Sequence, residues 1–365
     1  MSRINAFLKL ARDQGCSDVH FTVGMPPILR HLGQMAPIKY RQLSREELEL
    51  LVRETMSAAT QRLFDSGDDV DYSYQDEEVG RFRVNVYRKL TGMGAAFRVI
   101  SDRIPRLDDL GLGFLRERLL HTTQGLILVT GPTGTGKSTT LASMIELINN
   151  HRRLNIITLE DPVEFVHHSN LSMIIQREVG THTASFADGL RSSLREDPDV
   201  ILVGELRDPE TIGMALTAAE TGHLVLATLH TSSAVKTLAR IIDAMPTGQK
   251  AQTATLLSQH LQVVISQRLL RTADNRARRA VVEVMVNTPA IANLIISGKT
   301  HQLASMLQTG GERGMKLLDD ALMEAVKKKQ VNPDDAYIHA TDKQRFQRFV
   351  TDPSILPQIS LGGGQ

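Results

Sequence analysis

Several things are scarce in this chain of 365 residues, and each scarcity removes a class of answer. There is one cysteine, Cys16, so no disulfide can close within the chain and no multi-cysteine zinc site can form. That cysteine usage fits a reducing, intracellular compartment. Tryptophan is absent and aromatic residues make up 4%, which leaves little for stacking nucleobases. Neither sign of charge is in excess: Lys and Arg total 42, Asp and Glu 41, for a net charge of +1. A polyanion partner usually goes with a basic excess or a basic face. No stretch approaches the roughly 20 apolar residues needed to cross a bilayer. The start, Met1 to Phe7, lacks the apolar core and small cleavage residues of a signal peptide. The expectation is a soluble protein of the cytoplasm. No internal repeat is visible.

What is present is ordinary globular usage, 41% hydrophobic and 23% charged, at a length that suggests two or three domains. Residues 3–14 place Ile4, Phe7, Leu8 and Ala11 on one helical face. Ser44-Arg45-Glu46-Glu47 has the capping-box form ahead of Leu48, Leu51 and Val52. Val70–Tyr74 and Arg81–Tyr87 alternate apolar with polar residues, as half-buried strands do, and Gly92 and Gly94 punctuate the run into Ala95–Ile100. Residues 1–100 thus read as a small α+β domain. Residues 101–112, with Pro105, the pair Asp108–Asp109 and Gly111, read as a linker. After residue 120 short apolar runs alternate with helical patterns: Leu126–Val129, Asn155–Leu159, Val200–Val203 and Leu224–Thr228. Buried parallel strands joined by crossover helices have this texture, so the class is α/β. The core spans 113–270, and the chain from about 250 reads as helix-rich, with 271–350 a helical portion. Residues 351–365, with Gly362-Gly363-Gly364 near the end, read as a disordered tail.

Chemistry enters at Gly131-Pro132-Thr133-Gly134-Thr135-Gly136-Lys137-Ser138, which satisfies G-x-x-x-x-G-K-[ST] in full. A strand precedes it and the helical pattern Thr139–Asn149 follows, as a phosphate loop requires. The glycines let backbone N–H groups curl around an anion, and the helix start adds its positive end. A nucleotide would lie along Thr133, Gly134, Thr135, Gly136, Lys137, Ser138 and Thr139, with Lys137 on the β and γ phosphates and the Ser138 hydroxyl on Mg²⁺.

Ligands of an open parallel sheet bind beyond the carboxyl ends of its strands. After the apolar runs come Glu160-Asp161-Pro162-Val163-Glu164, Gly204-Glu205-Leu206-Arg207-Asp208 and His230-Thr231. Phosphate hydrolysis needs a carboxylate near Mg²⁺ and a group that orients water. Glu205 stands where a Walker-B acid belongs, although Gly204 replaces the usual Asp before it. Glu164 is the candidate to orient water, Glu160 the acid near the metal, and His230 a phosphate sensor. Asp161 suits a helix cap as well as chemistry. His223 sits at the opposite end of its strand from His230.

Taken together these residues resemble the type IV pilus retraction ATPases, the PilT/PilU family of the bacterial secretion ATPase superfamily. Gly131–Thr139 is similar to its Walker A. Ile157–Phe165 is similar to its Asp box, Leu194–Asp208 to its atypical Walker B, and Glu220–His223 through Leu229–Thr231 to its His box. The resemblance reaches back to Ser17-Asp18-Val19-His20 and covers nearly the whole chain. It implies a PAS-like N-terminal domain followed by a RecA-like ATPase domain, ATP and Mg²⁺ as ligands, and a homohexameric ring. It also implies work on a pilus platform protein of the inner membrane, with pilus retraction and twitching motility as outcome, and a place at the inner face of the membrane held only through partners. A second pilus ATPase is a further candidate partner. Residue by residue, Glu164 matches the water-activating Glu and Glu205 the Walker-B Glu. Arg81, Arg83 and Arg98 match phosphate-facing arginines of the N-terminal domain. A solvated strand face is the plain alternative for Arg81 and Arg83. Assembly and type II secretion ATPases of the superfamily resemble this core but carry a longer N-terminal region and usually a four-Cys insert, so one Cys and a short N-terminal domain argue against both. One departure stands out: Ala290-Ile291-Ala292-Asn293-Leu294-Ile295 has Ala292 where the family's retraction-associated motif has Arg.

Three other readings remain open at this point. One is an accessory retraction ATPase that depends on a partner motor, which the Ala292 departure favours. Another is a RecA-like DNA-dependent ATPase, for which Arg268, Arg271, Arg276, Arg278 and Arg279 form a basic cluster. Balanced charge and few aromatics weigh against it, so no nucleic-acid partner is expected. The third is a nucleotide-gated scaffold without turnover, against which Lys137, Glu164 and Glu205 argue.

Overall fold

The computed structural model describes residues 3–31, 33–100 and 103–357. Contacts divide the chain into two compact units, Met1–Arg103 and Ile104–Gln365.

The first unit runs α1 (Asn5–Asp13), β1 (Asp18–Thr22), β2 (Ile28–His31), β3 (Gln34–Pro37), α2 (Arg45–Arg53), α3 (Ala58–Asp65), β4 (Val70–Asp76), β5 (Gly80–Lys89) and β6 (Gly92–Ile100). Its described strands form one antiparallel sheet in the order β3-β2-β1-β6-β5-β4. Alternation sorts each strand into two faces. Phe21, Phe82, Val84 and Phe97 face a core shared with Ile4, Leu8 of α1 and Leu48 and Val52 of α2. The opposite face carries Arg81, Arg83, Asn85 and Arg98. The Ser44 hydroxyl caps α2 by accepting the Glu47 N–H at 3.2 Å. The Glu47 carboxylate does not close the box; it accepts from Arg41 at 2.6 and 2.7 Å. Gly94 does not interrupt β6. It lies opposite Tyr87, and a Cβ there would come within 2.6 Å of the Tyr87 ring.

The second unit contains α4 (Arg116–His121), β7 (Gly125–Thr130), α5 (Lys137–His151), β8 (Asn155–Glu160), β9 (Met173–Glu178), α6 (Phe186–Ser193), β10 (Val200–Val203), α7 (Pro209–Glu220), β11 (Leu224–Leu229), α8 (Ala234–Ala244) and α9 (Lys250–His260). There follow β12 (Leu261–Arg271), β13 (Arg278–Val286), α10 (Pro289–Ile296), α11 (Leu303–Thr309), α12 (Leu318–Lys327) and α13 (Pro333–His339). The sheet order is β13-β12-β7-β11-β10-β8-β9. Every neighbouring pair is parallel except the edge pair β12–β13. All six residues of β7 and all six of β11 are buried, which is why these strands read as unbroken apolar runs.

One expectation is corrected here. The region after residue 250 is not helical throughout: β12 and β13 pair as a long antiparallel hairpin before the helices resume at Pro289. Val263, Val264 and Ile265 in β12 and Val281, Val282, Val284 and Val286 in β13 favour a pleated, packed surface. The polar run Ser266-Gln267-Arg268 broke the apolar pattern and hid the strand.

Of the stretch 101–112, Ser101 and Asp102 lie outside the described residues, while Leu107 and Leu112 are buried in the second unit's core. Of the stretch 351–365, residues 358–365, including the three glycines, lie outside the described residues. Among the described residues no helix is long and apolar enough to cross a membrane.

Candidate active site

The parallel strands β7, β11, β10 and β8 end along one edge of the second sheet, and the loops leaving them carry the polar residues singled out above. The phosphate loop leaves β7 and feeds α5, whose first residue is Lys137. Gly131 has φ of +150°, and a Cβ on it would sit 2.5 Å from the Gln267 carbonyl oxygen, so only glycine fits this corner. Pro132, Thr133 and Gly134 form an exposed tip, whereas Lys137 is buried. The Lys137 ammonium donates to the carbonyls of Gly131 at 2.9 Å and Pro132 at 3.1 Å. Burial pushes its pKa below the usual lysine value, while Glu205 and Glu164 pull the other way. A buried cation that rests on two loop carbonyls is poised to exchange them for phosphate oxygens.

The loops after β10 and β11 meet at this lysine. His230 places Nδ1 3.4 Å from the Lys137 ammonium and Nε2 3.2 Å from the Glu205 carboxylate. Arg207 holds the other Glu205 oxygen at 2.8 Å. Backbone bonds fix the loop starts, from Gly204 N–H to Leu159 C=O at 2.8 Å and from Leu206 N–H to Thr228 C=O at 3.0 Å. The Thr228 hydroxyl donates to the Gly204 carbonyl. These contacts explain the glycine where an Asp is usual. A Cβ at Gly204 would meet Leu159 O at 3.1 Å and Glu160 Cα at 3.4 Å.

The loop after β8 begins with Glu160 and a cis Asp161–Pro162 bond. Glu160 accepts from the Thr158 hydroxyl at 2.7 Å and the Gln176 amide at 3.1 Å. Burial pushes its carboxyl above the usual carboxylate range. Glu164 is exposed and contributes to the field at Lys137. Glu178, at the end of β9, accepts the Val163 N–H at 3.1 Å and so steadies the loop between them. No helix follows Asp161. The cap is made instead by Asp208, which accepts the Thr211 N–H at 2.8 Å at the start of α7. His223 lies at the far end of β11, with Nδ1 2.9 Å from the Ala218 carbonyl.

Among the described residues no group of three or more His, Cys, Asp or Glu side chains forms a metal cage. The donor set suits Mg²⁺, which keeps waters and phosphate oxygens and takes few protein ligands. Ser138, next to Lys137, offers a hydroxyl, and Glu160 a carboxyl.

In the first unit the three arginines share one sheet face. Arg83 and Arg98 are directly opposed on β5 and β6, and Arg81 lies two residues along from Arg83. Asp18, itself buried, binds Arg98 at 3.0 Å and lies 3.7 Å from Arg30. Arg81 donates to the Ser73 hydroxyl at 3.2 Å, and Arg83 lies 3.9 Å from Asp71.

Arg207, Gln176 and Glu178 were given no role by sequence reasoning. Arg207 stood inside a recognised motif, two residues after Glu205. Gln176 and Glu178 carry a fainter signal, polar side chains on the core-facing positions of a strand. The basic cluster does not form one face: Arg268 is buried, and Arg271 is tied to Asp335 at 2.6 Å.

Comparisons agree with this geometry. The type II/IV secretion system protein family matches residues 2–301. The type IV pilus retraction ATPase PilT of Pseudomonas aeruginosa is 44% identical over 343 residues, covering 94% of this chain and 99% of that protein. The type IV pilus ATPase PilU of the same organism is 38% identical over 333 residues, 91% of this chain and 87% of that one. A crystal structure of the pilus retraction motor PilT with bound ADP superposes with a TM-score of 0.87 at 42% identity, covering 94% of this chain and 99% of that one. The chain belongs to the type II/IV secretion system protein family, alongside the pilus retraction ATPase PilT.

Proposed function

We propose that this protein is a Mg²⁺-dependent ATP hydrolase that works as a homohexameric motor on a type IV pilus machine and drives pilus retraction, the basis of twitching motility. The observation that carries the reading is the cluster Lys137–His230–Glu205–Arg207 beside a complete phosphate loop. It stands in a chain that matches a retraction ATPase over 94% of its length. The first unit is read as PAS-like and the second as RecA-like. The motor acts at the cytoplasmic face of the inner membrane through a platform protein.

In this reading the loop 133–139 binds the phosphates of ATP. Lys137 leaves the carbonyls of Gly131 and Pro132 for the β and γ phosphates. Ser138 and Glu160 would hold Mg²⁺, which would supply positive charge to the phosphates. Glu164 orients water and accepts its proton. Glu205, fixed by His230 and Arg207, acts beside it, and His230 reports the phosphate to Lys137. Arg81, Arg83 and Arg98 add positive charge at the phosphates.

A second reading has one observation in its favour. Ala292 occupies the position of the retraction-motif arginine, on a helix that leaves Ile296 exposed. It makes this chain an accessory retraction ATPase beside a second pilus ATPase. One experiment tests both. The gene is deleted in its host and returned as wild type or Glu205→Gln. A retraction motor gives loss of twitching with pili retained on the surface, rescued by wild type only. Twitching that persists until a second ATPase is also weakened supports the accessory reading. Unchanged piliation and motility in every background would remove both. ATP hydrolysis that DNA stimulates steeply and salt abolishes would point to the DNA-dependent alternative.

A further inference from the structure

Among the buried polar side chains that the mechanism above leaves unused are Gln267 and Arg268, which are 2% and 8% exposed. Their place in the sheet is informative. β12 runs parallel to β7, with its last pair at Ser266 and Thr130. β7 ends there and becomes the phosphate loop, but β12 continues, so Gln267 and Arg268 run beside the loop. Burying an amide and a guanidinium requires partners, and each of the two finds one of them on an active-site loop.

The Gln267 side chain enters the phosphate loop from behind. Its Nε2 donates to the Thr135 carbonyl at 2.6 Å, and its Oε1 accepts from the buried Thr140 hydroxyl on α5 at 2.8 Å. A Cβ at Gly136 would come 3.0 Å from that Nε2. Both amide ends are therefore used, one on the loop and one on the helix it feeds. Arg268 reaches the other loop. Its Nη1 donates to the Gln267 carbonyl at 3.0 Å and its Nη2 to the Ser232 carbonyl at 2.7 Å, two residues beyond His230. Glu283 of β13 supplies negative charge to Arg268 and accepts the Ala234 N–H at 2.7 Å, which fixes the far end of the same loop.

We propose that Gln267 and Arg268 are positioning residues for ATP hydrolysis: Gln267 sets the shape of the phosphate loop, and Arg268 sets where His230 and Glu205 stand relative to it. The division of labour follows from the bonds. The nucleotide phosphates lie on the loop that Gln267 braces, so its loss falls on binding. Arg268 holds the loop that carries His230, which touches Glu205, so its loss falls on turnover. The inference rests on the ATPase reading of the site and deepens it.

The test uses full-length Gln267→Leu and Arg268→Lys beside wild type, with ATP and ADP affinities, KM, kcat and thermal unfolding measured for each. Gln267→Leu removes both amide bonds at similar volume. Its nucleotide Kd and KM should rise on the order of tenfold, with a smaller change in kcat. Arg268→Lys keeps the charge and loses the fork that spans two carbonyls. Its kcat should fall on the order of tenfold with nucleotide Kd within about twofold of wild type. Purely structural residues would instead lose affinity and turnover together, in step with the unfolding temperature, and that result overturns the proposal. So does wild-type behaviour in both variants. Where a variant is too unstable to assay, Thr140→Val and Ser233→Ala carry the same comparison on the partner side: the first removes the hydroxyl held by Gln267 and should shift Kd, the second frees the start of α8 and should shift kcat. If wild type itself binds no nucleotide, the ATPase reading has failed, and that outcome is distinct from variants that match an active wild type.

Discussion

At the scale of single residues, Lys137 is the clearest test. Its ammonium touches both the Gly131 carbonyl of the phosphate loop and His230, the partner of Glu205. Lys137→Ala should lose measurable ATP and ADP binding in calorimetry, while unfolding as sharply as wild type; tight binding by the variant would refute the assignment. Glu164→Gln and Glu205→Gln should each bind ATP with near wild-type affinity and turn it over at least about a hundredfold more slowly, the scale of a lost base or charge-positioning group. Normal turnover in either would remove that residue from the machinery. Glu160 offers a pH test. Burial raises its pKa, so the folded protein holds this proton more tightly than the unfolded chain does. Stability from this group is full below the ordinary carboxylate pKa and declines as pH rises through the folded value. Glu160→Gln keeps an acceptor for Thr158 and Gln176 and does not titrate. Its unfolding midpoint should gain on wild type as pH goes from about 4 to about 8. A constant gap would show that the group does not titrate abnormally.

At the scale of elements, the structure shows which signals a sequence carries. Strands buried on both faces were legible at β7, β8, β10 and β11, because parallel packing demands unbroken apolar runs. Polar residues at their ends stood out against those runs, although one of them, Asp208, caps α7. The β12–β13 hairpin was not legible. Its strand carries Gln267 and Arg268 inside the core, where they serve neighbouring loops, so the local pattern contradicts the global fold. The capping box of α2 was half legible. Ser44 caps, but Glu47 prefers the Arg41 guanidinium, a contact set by the preceding loop. Ser44→Ala should therefore cost about 1 kcal/mol, the usual value of an N-cap. Glu47→Gln should cost less, because its ion pair with Arg41 is exposed. Urea unfolding of both variants checks the order, and a reversed order would mean that the ion pair rather than the cap anchors the helix.

At the scale of the whole molecule, the charge within one site is the deciding quantity. Transfer of a γ-phosphoryl group spreads negative charge that usually meets more cations than a phosphate-loop lysine. In the second unit's cluster the bonded cations are Lys137, already between two carbonyls, and Arg207, already on Glu205. His230 and Glu164 stand partly open to solvent, as does the loop tip at Thr133 and Gly134. Arg81, Arg83 and Arg98 share one sheet face of the first unit and are the arginines proposed to add such charge. The proposed ring brings such faces to the nucleotide, so hydrolysis should depend on assembly. Specific Mg²⁺-dependent ATPase activity should climb with protein concentration and level off as hexamers form, measured together with mass by light scattering. Replacing Arg81, Arg83 and Arg98 with Ala should lower the plateau at least tenfold while leaving ADP binding in place, since the phosphate loop that holds ADP lies in the other unit. Flat specific activity from a monomer that needs none of the three arginines would mean that the second unit completes its own site. Activity that stays absent at every concentration, with ATP bound, would mean that a partner ATPase must complete it.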